Sequence, residues 1–162
     1  MRFALLLLLW AGSAQSGVAA YDACLSEGYE TRVMETFALR FPHETCRSRA
    51  ECDAKLMQSA EALTRAQCRA IALDDCASTK CRLGLKGRWR ADGEVIRADV
   101  EDALARVDLA TLPRLQARRL GDPERWLSPV TCLGDAITCD AERAGQALGD
   151  YERLANEVRA LQ

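Results

Sequence analysis

Histidine is almost missing from this chain, with His43 the only one in 162 residues. It lies in the stretch Pro42 to Arg47 beside Glu44 and Cys46, where it reads as a solvated loop residue rather than as the base of a Ser or Cys nucleophile. No two cysteines stand closer than Cys76 and Cys81, so the C-x-x-C spacing of dithiol redox sites and of many zinc sites is absent. A Gly-rich phosphate loop, a zinc-protease helix signature and a Gly-x-Ser-x-Gly elbow are absent as well. The carboxylate pairs Asp74-Asp75 and Glu101-Asp102 are sequence neighbours, and on a helix such side chains diverge by about 100° instead of converging on a substrate. These gaps argue against an enzyme and imply no cofactor and no metal. Only a site assembled from residues far apart in sequence would escape them.

A long apolar span is missing too. The longest run, Phe3 to Ala11, has nine residues, against the ~20 that a membrane helix needs. Preceded by Arg2 and followed by small residues up to Gly17-Val18-Ala19-Ala20, it has the form of a secretory signal peptide. Residues 1–20 are therefore expected to be a leader cut after Ala20, with 21–162 as a single helical, cysteine-rich domain and no transmembrane segment after cleavage. Losing Arg2 leaves the mature chain at about -3, which does not suggest a nucleic-acid binder. A mature chain of this length buries ~68 to 70% of its unfolded surface, enough for a core without staples. Nineteen arginines against three lysines, with abundant alanine, suggest a GC-rich genome, so a periplasmic or extracellular bacterial protein is expected.

What the chain has in quantity is cysteine: Cys24, Cys46, Cys52, Cys68, Cys76, Cys81, Cys132 and Cys139. In an oxidising compartment an even number of thiols reads as a set of disulfides. Cys68 and Cys76 cannot pair along one helix, because eight residues of rise put them ~12 Å apart and a bridge needs Cα atoms within ~7 Å. Two schemes remain. One uses short-range pairs, Cys46 with Cys52, Cys76 with Cys81 and Cys132 with Cys139. The other staples two antiparallel helices, with Cys68 and Cys76 facing Cys139 and Cys132.

Apolar periodicity predicts an all-α fold, a small disulfide-stabilised helical bundle. From Asp22 to Arg40, Leu25, Tyr29, Val33 and Phe37 recur every fourth residue, with Gly28 interrupting, and Pro42 ends the helix. Ser48 and Glu51 then form a Ser-x-x-Glu capping box. The helix it opens carries Cys52, Leu56, Ser59, Leu63, Ala66, Ala70 and Leu73 at alternating steps of four and three, a bundle seam. In the last helix Ile137, Ala144, Ala147, Tyr151, Leu154, Val158 and Leu161 follow a heptad that only Asp140 breaks. Such stripes read as core, or as a docking face for a partner helix.

The middle is less regular. Asp92-Gly93 is a hairpin-type turn signal, so a short β-hairpin near 82–97 is a candidate, followed by a new helix from Asp99 toward Val107. Thr111-Leu112-Pro113 opens a further helix that Gly121 closes. Lys80, Arg82, Lys86, Arg88 and Arg90 lie here without an intervening acid, together with Trp89. They are the candidate contact for an anionic partner, combining charge with an aromatic anchor. The alternative is that the arm pairs with the acids after it.

These features point to a secreted or periplasmic, non-enzymatic binding or inhibitory domain of the bacterial cell envelope. Its partner would be a protein or an anionic envelope component, with Lys80 to Leu127 as contact surface and oligomeric state open. Alternatives are a structural subunit of an envelope complex and a thiol carrier of Cu(I) or Zn. A further one rests on a resemblance. Leu120, Trp126 and Cys132 are similar to the tryptophan-then-cysteine helix of the LprI-type lysozyme inhibitors, which are small, helical, cysteine-bonded secreted proteins. The resemblance is confined to residues 120–132, and Leu127-Ser128-Pro129-Val130-Thr131 replaces the Tyr-Arg-Asp element of that class. It implies a partner that attacks the cell wall.

Overall fold

The computed structural model describes residues 16–38, 48–122, 132 and 134–161. It is an all-α, disulfide-braced bundle, with six α-helices and no strand among those residues. They are α1 (Ser16–Ser26), α2 (Tyr29–Ala38), α3 (Arg49–Asp74), α4 (Thr79–Leu104), α5 (Arg114–Leu120) and α6 (Ala136–Arg159), with a 3₁₀ turn at Leu109–Thr111. The chain divides into two compact units, Met1–Leu85 and Lys86–Gln162, with the boundary inside α4.

In the first unit α1 and α2 both pack on α3. The single helix expected from Asp22 to Arg40 is broken at Gly28, which takes φ +65, and the Arg32 guanidinium returns across the break to donate to the Cys24 carbonyl. A left-handed residue cannot continue an α-helix, and glycine adopts that conformation without a Cβ clash. Helix α3 opens as expected, with the Ser48 hydroxyl accepting the Glu51 N–H at 3.2 Å. Its inward face differs from the predicted seam. Ala60, Thr64, Cys68 and Ala72 are buried, whereas Leu63, Ala66 and Ala70 face outward. Cys68 sets this rotation, because it is bonded to Cys24 of α1. The small residues one turn apart on either side of it let neighbouring backbones approach. Thr64 satisfies its buried hydroxyl by donating to the Ala60 carbonyl at 2.9 Å, 3.4 Å from Thr36 Oγ1 of α2. Arg65 Nε donates to the Tyr29 hydroxyl at 3.1 Å.

The predicted hairpin segment begins in the first unit and continues into the second, and here the expectation is corrected. Residues 82–97 lie wholly within α4, which also takes in the separate helix expected from Asp99. Cys81, Leu85, Trp89, Gly93 and Val100 are buried and Ile96 half-buried, a recurrence at steps of four and three. That periodicity overrides the local turn preference of Asp92-Gly93. Gly93 faces α6, where an added Cβ would meet Tyr151 Cδ2 at 3.8 Å. Farther along, Val100, Leu120, Leu154, Ala155 and Val158 form a buried cluster, covered by Ile96, Leu104, Val107, Leu109, Leu112 and Leu161. Helix α5 lies between Pro113 and Gly121, as the sequence predicts. The Asp135 carboxylate caps α6, accepting from Ile137 and Thr138 at 3.0 and 3.1 Å. Of the α6 heptad, Ala144, Leu154 and Val158 are buried and Ile137, Ala147, Tyr151 and Leu161 half-buried.

Candidate functional site

Among the described residues three disulfides are defined: Cys24–Cys68, Cys76–Cys81 and Cys132–Cys139. Cys52 is also disulfide-bonded, and Cys46 lies outside the described residues. Two of the three expected short-range pairs, Cys76–Cys81 and Cys132–Cys139, are present with one long closure, Cys24–Cys68, added, whereas the third, Cys46 with Cys52, falls on a segment outside the described residues. The cross-helix alternative, in which Cys68 and Cys76 face Cys139 and Cys132, is corrected. The reason is geometric, since the chain turns between α3 and α4 and brings Cys76 within bonding reach of Cys81, at a Cα separation of 5.5 Å. Ser78 tightens that corner, its hydroxyl accepting the Cys81 N–H at 3.2 Å.

The candidate anionic-partner residues all fall on α4, and a helix distributes them around its circumference. Trp89 belongs to the core at 1% exposure, so it anchors the helix and is not presented to a partner. Lys86 is drawn into an ion pair with Asp140 of α6. Arg88 pairs one turn on with Asp92, at 2.9 Å. Arg82 is half-buried, while Lys80 and Arg90 are exposed. The arm is thus not one cationic face. Its outward charge comes from Lys80, Arg88 and Arg90, and the pairing of Arg88 with Asp92 follows the alternative of neutralisation by the acids that come next.

Asp140 is the residue that sequence reasoning missed, although a signal was there, since it alone broke the heptad of the last helix. Its carboxyl receives a hydrogen bond and the positive charge of Lys86, with Arg143 and Arg90 adding attraction. Together they hold its pKa below the ordinary carboxylate range against a smaller opposing effect of burial. Arg143 Nη1 stands 3.9 Å from Asp140 Oδ1. Elsewhere the expected carboxylate pair is absorbed by helical neighbours. Arg97 lies 3.9 Å from Glu101, and Arg106 pairs with Asp102.

Among the described residues no group of three or more His, Cys, Asp or Glu side chains comes together to hold a metal ion. None of the described helices is long and apolar enough to cross a membrane. His43 and the Trp126-to-Thr131 stretch that carries the lysozyme-inhibitor resemblance lie outside the described residues. Comparison with protein-family models, with curated proteins and with solved structures finds no match.

Proposed function

We propose that the chain is an exported domain of the bacterial envelope, periplasmic or extracellular, that works by binding a partner through a scaffold held rigid by disulfides. The observation that supports this most directly is the cysteine pattern. Cys24, Cys68, Cys76, Cys81, Cys132 and Cys139 are engaged in bonds that persist in oxidising compartments. In that oxidised form these sulfurs offer no thiolate for Cu(I) or Zn. A braced scaffold lowers the ordering cost of association. The contact surface is the exposed part of α4, where Arg88 and Arg90 stand on either side of the buried Trp89. An acidic protein or an anionic wall polymer fits that charge. The Arg88–Asp92 pair is solvent-exposed and worth little, so a partner carboxylate or phosphate can replace Asp92. Replacing Arg88 and Arg90 by Ser is expected to reduce retention on an anionic matrix, and unchanged retention removes this surface from the proposal. Inhibition of lysozyme, measured alongside, reports whether the partner is a wall-degrading enzyme.

A second reading, a subunit of an envelope complex, is supported by α3. Three of the seven residues of its predicted seam, Leu63, Ala66 and Ala70, face outward, and with Leu63 at 38% and Ile71 at 48% exposure the helix presents two large apolar side chains. Such a face is a site where another chain can complete the packing.

A further inference from the structure

Helix α1 is described from Ser16 onward and runs through the Ala20-Tyr21 bond at which the leader is expected to be cut. The residues just before that bond are packed against the rest of the first unit. Gly17 is buried on the Cys76–Cys81 disulfide. A Cβ there would overlap Cys76 Sγ, lie 2.8 Å from Cys81 Sγ and stand 3.0 Å from the Ala72 carbonyl oxygen, so only glycine fits. Val18 is half-buried and lies over Gly84, its Cγ2 3.7 Å from where a Cβ of Gly84 would be. Tyr21 is 2% exposed, and Cys24, one turn on, ties the same helix to α3. Cutting after Ala20 would strip residues 17–20 from the disulfide, which is now buried at both sulfurs' residues. It would also leave a new ammonium on Tyr21, and placing a charge at a buried position is unfavourable.

From this we infer that export processing severs the chain ahead of Gly17, leaving α1 in the mature protein. The inference rests on the export reading proposed above. The sequence supplies suitable bonds, because Gly12-Ser13-Ala14 and Ala14-Gln15-Ser16 each place small residues at the third and last positions before a cut. Both lie nearer the end of the apolar run at Ala11 than Ala20 does. The processing site is therefore the Ala14-Gln15 or the Ser16-Gly17 bond.

The test exports the full gene product with its own leader from a bacterial host and measures the intact mass of the mature chain after reduction. A chain beginning at Gln15 or Gly17 is expected. A start at Val18 or beyond overturns the inference and leaves the export reading standing, whereas an uncut chain held in the cytosol overturns both. Gly17→Ala, exported in parallel, gives a second readout. The mature variant is expected to be heavier by one methylene and to melt several degrees lower than the parent. Identical mass and melting would mean that residue 17 had been discarded, and would overturn the inference. If the variant fails to accumulate, the parent mass alone decides.

Discussion

Asp140 shows how one charged residue can be read as a defect in a pattern and turn out to be its anchor. Because Lys86 lowers its pKa in the folded chain relative to the unfolded one, the pair stabilises the second unit above the unfolded-state pKa. That contribution is lost as pH falls through the lowered folded value. Asp140→Asn is therefore expected to lower the urea midpoint at neutral pH, with the gap between variant and parent closing as the pH falls below the ordinary carboxylate range. A gap that stays constant across that range would mean that the pair does not titrate with folding. Gly87 offers the opposite kind of residue. It lies in the middle of α4, and an added Cβ would meet nothing within 4 Å. Gly87→Ala should raise stability by about 0.4 to 1 kcal/mol, read from equilibrium denaturation, through helix propensity and a less free unfolded chain.

At the scale of elements, the disulfides differ in what they constrain. Cys24–Cys68 spans 44 residues and Cys76–Cys81 only 5. Loop-closure entropy assigns roughly 4 kcal/mol to the first and roughly 2 to the second. Replacing both members of each pair by Ser should therefore lower the denaturation midpoint more for Cys24 with Cys68. The same elements show what the sequence could and could not convey. Helix caps and breakers were legible at Ser48, Pro113 and Gly121, because their chemistry acts on the next few residues. Helix α4 was hidden because Gly84, Gly87 and Asp92-Gly93 carry strong local turn preferences, while its inward stripe emerges only over several turns. The rotation of α3 was hidden for another reason. A heptad reading ranks Leu63 above Ala60 by size, but the bond from Cys68 to α1 decides which side is inside, and connectivity cannot be read from spacing alone. The candidate site was legible as a run of cations but not as a surface, since Trp89 and Lys86 turn inward once the run is helical.

For the molecule as a whole, the two proposed readings separate by association. A binding domain complete in itself should elute as one species whose mass does not change with concentration. Association that grows with concentration and disappears in a Leu63→Ser, Ile71→Ser variant would instead show that the outer side of α3 is covered by a second chain. The measurement belongs to the oxidised protein, because Cys24–Cys68 ties α1 to the helix it packs on.

The kink at Gly28 has a stereochemical corollary. Its φ of +65 belongs to the mirror-image half of conformational space, and the nearest atom to an L-type Cβ there is Arg32 Nη1 at 3.9 Å, so room is not the constraint. Chirality is. In a chemically synthesised chain, D-alanine at position 28 should therefore strengthen the joint between α1 and α2, whereas its enantiomer should weaken it by about 1 kcal/mol.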